Sequence, residues 1–234
     1  GVDVEFLGHP FIEMVQPTRT REESLVKFSL DSNIKTVGLL PGSRMNEVTS
    51  LLDEMLRAAE KIKKELGSCQ FLLPVAESID TALIQHKLGS NLLDIKLVQG
   101  ETYDVMNTCD TLIIASGSAT LEAGIIGCPM VIVYKLSPLT YWLALMLINT
   151  PYYGLVNIVA GEGVAPELIQ SKANADNIAA ETLKLLKNPE HCQEVRDRLL
   201  LVRKNLGSPG VMKAVASSMA DSLSKITPHE KISL

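Results

Sequence analysis

From residue 34 onward the hydrophobic pattern changes period again and again, and the order of the changes leaves few folds open. "IKTVGLLPGS" is a short apolar run stopped by Pro-Gly. "NEVTSLLDEMLRAAEKIKKELG" then carries Val48, Leu51, Leu52, Met55 and Ile62 on a helical stripe closed by Gly67. The alternation continues through "QFLLPV" (strand), "IDTALIQHKLG" (helix), "IKLVQG" (strand), "ETYDVMNTC" (helix) and "DTLIIASG" (strand). It goes on through "SATLEAGIIG" (helix), "PMVIVYK" (strand) and "PLTYWLALMLI" (helix). The strand runs are too apolar to face water on either side, the signature of a parallel sheet covered by helices on both faces.

The pattern therefore predicts a Rossmann-like, doubly wound α/β domain over residues 18–170, with right-handed crossovers restricting the strand order. "ANADNIAAETLKLLKN", "PEHCQEVRDRLLLVRKNLG" and "SPGVMKAVASSMADSLSKI" predict three C-terminal helices over 171–226, and 227–234 reads as a frayed tail. The opening "GVDVEFLGHP", without an initiator Met, reads as a strand followed by a turn from the interior of a longer protein.

A chain of 234 residues can bury a sizeable core. With 21% charged residues and a net charge of −5, it has no dominant basic surface, so nucleic acid is not expected as a partner. Cys69, Cys109, Cys128 and Cys192 are widely spaced, without a CxxC or Cys/His cluster, and read as reduced core thiols of a cytoplasmic protein. Neither an HExxH nor a Ser/His/Asp order is visible, and no metal site is expected. The longest apolar run, residues 138–148, is too short to span a bilayer. It reads either as a core or subunit-interface helix or as a greasy surface that touches a bilayer or an acyl chain.

Ligands of an open parallel sheet bind outside the carboxyl ends of its strands, which directs attention to three loops. In "LPGSRMNE" (40–47), Ser43 is the expected N-cap and Arg44 falls in the first helical turn. There a cation opposes the helix dipole and calls for an anionic partner, either a ligand or Glu47. The Gly-Ser turn also offers backbone N–H groups suited to phosphate.

In "IIASGSATLEAGIIGCP" (113–129), Ser116, Gly117, Ser118 and Thr120 surround a helix start suited to a diphosphate. Glu122, one turn in, can accept hydrogen bonds from a ribose diol or can serve as a first-turn acid favoured by the dipole. Neither GxGxxG nor GxxxxGK[ST] is present, so ordinary NAD and ATP sites are not indicated. "NIVAGEGVAPELIQ" (157–170) reads as a strand, a Gly-rich turn and a helix starting at Pro166 beside Glu167. Asn157 there is either a ligand for a sugar or base or a turn former.

Taken together, "FLGHP", "LLPGSRMNEV", "ASGSATLEAGIIGCPMVIVYKLSPLTYWLA" and "LVNIVAGEGVAPELIQ" resemble, in order and spacing, the lipid A disaccharide synthases, GT-B glycosyltransferases of outer-membrane lipid synthesis. The resemblance spans residues 6–170. It implies inverting, metal-independent transfer of 2,3-diacylglucosamine from UDP-2,3-diacylglucosamine to 2,3-diacylglucosamine 1-phosphate, giving a β-1,6-linked disaccharide and UDP. No cofactor is implied.

On this reading Arg44 would face the diphosphate, Ser118 and Thr120 would cradle it, and Ser43, Ser116 and Gly117 would belong to the same UDP-binding site. Glu122 would hold the ribose and Asn157 would line the cleft. The resemblance further implies peripheral association with the inner-membrane surface and a possible homodimer. It places the catalytic base and much of the acceptor site in an N-terminal domain that this chain lacks but for its final strand and the hinge at residues 1–17, so that His9 reads as a hinge residue and the chain is expected to bind donor without turning it over. The last helix, which crosses back onto that domain in many GT-B proteins, is expected to expose an apolar face. Two alternatives stay open: another UDP-sugar GT-B transferase or epimerase, and a non-catalytic Rossmann-like interaction domain.

Overall fold

The computed structural model describes residues 4–89, 93–136 and 150–226. After two short helices, α1 (Phe11–Met14) and α2 (Arg21–Lys27), strand and helix alternate. The order is β1 (Thr36–Leu40), α3 (Met45–Leu66), β2 (Gln70–Val75), α4 (Thr81–Leu88), β3 (Ile95–Gln99) and α5 (Thr102–Thr108). Then come β4 (Thr111–Ala115), α6 (Ser118–Ile126), β5 (Met130–Tyr134), α7 (Leu155–Ala160) and the short β6 (Glu167–Ile169). Helices α8 (Ala175–Lys187), α9 (Pro189–Asn205) and α10 (Val211–Ile226) follow. The sequence "PLTYWLALMLI" and the tail at 227–234 lie outside the described residues.

The strands form one six-stranded sheet in the order β3-β2-β1-β4-β5-β6, with every pairing parallel. All five residues of β1 and all five of β4 are buried, as expected of central strands covered on both faces. Helices α3 and α8 pack together on one side. Helices α5 and α6 lie on the other, backed by α2, α7 and α9. The doubly wound α/β architecture expected from the pattern is thus the one observed.

The segment 155–170 departs from expectation. The β-branched run "LVNIVA" forms helix α7, and the residues after Pro166 form a strand. Tertiary packing overrides β-propensity here. Val156 and Asn157 are fully buried on one helical face, and Val156 packs so closely on Gly124 of α6 that a Cβ at Gly124 would lie 2.8 Å from its Cγ2. Pro166 is tolerated because it stands just ahead of an edge strand, where its carbonyl accepts from Ile132 N–H at 2.9 Å.

No strand forms over residues 4–10, where one was expected. Instead this segment docks beside the start of the last helix. His9 N–H donates to Leu206 O at 2.8 Å, and Glu13 Oε1 accepts from Gly210 N–H at 2.7 Å and Met212 N–H at 3.3 Å. Farther along α10, Met212, Met219 and Leu223 are exposed at spacings that share one helical face.

Among the described residues no helix is long and apolar enough to cross a membrane.

Candidate functional site

Strand order reverses between β1 and β4, and in such sheets the crevice outside the strand ends at the reversal is where ligands sit. Here the loops after β1 and β4 line one cleft of about 510 Å³. It brings together Ser43, Arg44, Ser116, Gly117, Ser118 and Glu122, residues up to 79 positions apart in the chain. Thr120 and Asn157 are not among its lining residues.

In the first loop the N-cap is Arg44 rather than Ser43, so Ser43 stands one step outside the helix. The cause is Glu47, which folds back over the helix start. Its Oε2 accepts from Ser43 N–H at 3.1 Å and from Arg44 N–H at 3.3 Å, while Oε1 lies 3.0 Å from Arg44 Nη1. Gly42 makes room for this: its φ is +112°, and a Cβ there would sit 2.2 Å from Glu47 Oε2. The N–H groups expected to be open to phosphate are therefore already satisfied. What this loop presents to the cleft is the Arg44 guanidinium, on a side chain that is 80% exposed.

The second loop is built differently. Gly117 is the N-cap of α6, its backbone is extended, and no side chain caps the helix. Among the described residues beyond its chain neighbours, a Cβ at Gly117 would meet no atom within 4 Å, so the missing side chain leaves the cleft floor open. The first N–H groups of α6 have no helical acceptor and suit an anion. Ser118 is exposed at this rim.

Thr120 corrects the sequence expectation. It is fully buried, and its hydroxyl donates to Gly117 O at 2.8 Å, so it braces the turn from beneath instead of facing a ligand. Ser116 is tied sideways, its N–H to Val133 O at 3.0 Å and its hydroxyl to Tyr153 O at 3.1 Å.

Glu122 is half-buried where the cleft meets a second recess of about 350 Å³, which Thr18, Gly100, Tyr103 and Asp104 also line. Burial and the neighbouring Glu122 push the Tyr103 phenol above its ordinary range. The recess wall is fixed by Asp104, which accepts from Thr18 N–H (2.8 Å), Thr18 Oγ1 (2.6 Å) and Arg19 N–H (2.9 Å). Burial raises its pKa, but the Thr18 hydroxyl, these two backbone bonds and the Arg19 guanidinium outweigh it and hold the carboxyl below its usual range.

Asn157 is 0% exposed and does not line the cleft. Its Nδ2 donates to Ala165 O and Glu167 Oε1, each at 2.8 Å, and its Oδ1 accepts from Val164 and Ala165 N–H, each at 2.9 Å. Two donors and two acceptor positions are all that an Asn amide has. It clamps the turn leading into β6 and has nothing left for a sugar or base. A larger cavity of about 710 Å³ lies beyond that turn, lined by Tyr152, Gln170, His191 and Arg198 among others, and shares with the predicted site only Asn157.

Sequence reasoning placed Glu47 opposite Arg44 and Glu167 beside Pro166 but missed the backbone groups that their carboxylates hold, and it missed Asp104 altogether. Glu47 had a legible signal, since an acid three residues after an N-cap is the second half of a capping box. The same signal, Thr20 with Glu23, marks the start of α2. Asp104 and Glu167 had none, because their partners are set by tertiary contacts.

Parallel strands in this order, wound on both faces and open at the β1/β4 reversal, define a Rossmann-like domain of the GT-B type. A crystal structure of UDP-GlcNAc 2-epimerase from Neisseria meningitidis bound to UDP-GlcNAc shares that fold, with a TM-score of 0.60 at 15% identity over 90% of this chain and 52% of that one. The chain belongs to the lipid-A-disaccharide synthetase family, whose model matches residues 1–219. It is 43% identical to the lipid-A-disaccharide synthase of Geobacter sulfurreducens, over 96% of this chain and 59% of the relative. It is also 43% identical to that of Syntrophus aciditrophicus, over 92% and 57% respectively. The chain thus spans less than two thirds of the length of these relatives.

Proposed function

We propose that the chain is the donor-binding half of a glycosyltransferase that moves 2,3-diacylglucosamine from UDP-2,3-diacylglucosamine to 2,3-diacylglucosamine 1-phosphate, with inversion and without a metal. The observation that carries this reading is the position of Glu122 between the uncapped start of α6 and the adjoining recess. A diphosphate at the helix start places its ribose beside Glu122, whose carboxylate accepts from the diol, and leaves the recess for the base. Arg44, whose exposed guanidinium is held among the described residues by its ion pair with Glu47, exchanges Glu47 for the departing diphosphate. Ser118 lies at the rim where the same group docks.

Family membership supports the acylated donor and acceptor, contact of the whole protein with the inner-membrane surface and a cytoplasmic location. A base supplied by a second domain completes the site, so this chain by itself holds donor without transfer. The exposed apolar face of α10 favours association, including a homodimer.

Calorimetric titration with UDP tests the reading. Saturable binding by the wild-type chain, weakened about tenfold in Glu122→Gln through loss of a charged hydrogen bond, is expected. A flat titration of the wild-type chain would defeat it.

A further inference from the structure

Tyr153 is gripped from both sides of its peptide. Its N–H donates to Glu167 Oε2 at 2.8 Å, and its carbonyl accepts the Ser116 hydroxyl at 3.1 Å. The other Glu167 oxygen takes Gly154 N–H at 2.9 Å and Asn157 Nδ2 at 2.8 Å, so the carboxylate fixes the whole turn that presents the Tyr153 carbonyl. A serine hydroxyl has one hydrogen to donate and two lone pairs to offer. At Ser116 that hydrogen is committed to Tyr153, and only acceptor capacity is left towards the cleft that Ser116 lines.

We infer that Ser116 is a specificity-determining residue that accepts a hydrogen bond from a hydroxyl or amide N–H of the donor sugar, not a donor to the diphosphate, and that Glu167 is the positioning residue that sets this polarity. The inference rests on the nucleotide-sugar reading above and refines it. Phosphate oxygens are acceptors and find no donor at Ser116; they are served by the α6 N–H groups and Arg44. A sugar hydroxyl or the amide of an N-acyl group is a donor and matches what Ser116 has left. Replacing Glu167 by Gln turns one of its two oxygens into an NH2 group, which faces Tyr153 N–H or the Gly154 and Asn157 donors and frees the turn that holds Ser116.

The test compares UDP with a short-chain UDP-2,3-diacylglucosamine as ligands of wild type, Ser116→Ala and Glu167→Gln, with thermal melts of each. For both variants the dissociation constant for UDP should stay within about twofold of wild type, while that for the sugar nucleotide rises about tenfold, one hydrogen bond's worth. Equal weakening for both ligands in Ser116→Ala would place Ser116 on the diphosphate and overturn the inference. So would no change for either ligand. A Glu167→Gln protein that melts lower but keeps wild-type affinity for both ligands would show Glu167 to be a fold-stabilising residue only and remove its positioning role. Should that variant not fold, Glu167→Asp, which keeps the carboxylate but shortens its reach, is read by the same criteria. A wild-type chain that binds neither ligand would instead refute the nucleotide-sugar reading, and the inference with it.

Discussion

Arg44 Nη1 stands 3.0 Å from Glu47 Oε1, one helical turn away, in a pair whose arginine is 80% exposed and whose acid is 19% exposed. The two members do unequal work. Glu47 holds the backbone of the loop, whereas Arg44 adds only a screened attraction of about 0.3–0.5 kcal/mol. Arg44→Ala should therefore leave the melting temperature within about 2 °C of wild type. UDP affinity should fall about tenfold, the loss of one charge-assisted contact. Differential scanning fluorimetry beside calorimetry checks both halves, and a variant that melts far lower would show that the arginine is structural.

Gly42→Ala should be costlier than any change at Arg44. The added methyl meets Glu47 Oε2 at 2.2 Å on a backbone with φ of +112°, so Glu47 must leave and α3 loses its N-terminal hydrogen bonds. A loss of about 2–3 kcal/mol is expected, against about 1 kcal/mol for Glu47→Ala, which removes the cap without straining the loop. Urea denaturation ranks the two, and equal losses would contradict the steric argument.

Asp104 gives the domain an acid-sensitive contact. Its folded pKa is depressed, so the stability it contributes is present above the unfolded value near 3.9 and is lost as pH falls through the folded one. Asp104→Asn should cost about 1–3 kcal/mol at pH 7, because an amide cannot accept from Thr18 and Arg19 as a carboxylate does. It should also flatten the acid limb of the stability profile below about pH 4. Parallel acid titrations followed by circular dichroism would expose an unchanged limb, the contrary result.

Thiol chemistry offers an independent check on packing. Burial pushes Cys69 and Cys128 up to about 12 and Cys109 well above its ordinary value, whereas Cys192 is only half-buried. Ellman's reagent at pH 8 should modify Cys192 in the native chain and all four cysteines after unfolding in urea. Fast native labelling of Cys109 or Cys128 would mean that the β4–α6 layer is loosely packed, and of Cys69 that the start of β2 is.

Much of the architecture was legible because period and local chemistry agreed. "QFLLPV" is β2 from its first residue to its last, and Asn174 and Asn188 cap α8 and α9 where Asn signals stood in the sequence. Agreement failed where burial decided. "LVNIVA" has strand composition but becomes a helix because Val156 and Asn157 need one inward face. In the candidate site, residue identity located the cleft but not the direction of each side chain. Ser, Thr and Asn at a turn serve either a ligand or the backbone, and Thr120 and Asn157 serve the backbone. Only the hydrogen-bond partners, set by residues such as Gly117 and Glu167, distinguish the two.

The position of β1 between β2 and β4 also governs how the chain comes off the ribosome. The β1–β2–β3 half can assemble first, but the inner edge of β1 has no partner until residue 115 has emerged. At 5–20 residues per second the nascent chain carries one unpaired edge of this apolar strand for about 4–15 s while the stretch from Leu40 to Ala115 is made. The central strand of the finished sheet is thus the one that most needs shielding during synthesis, and slowing translation between β1 and β4 would lengthen that exposure.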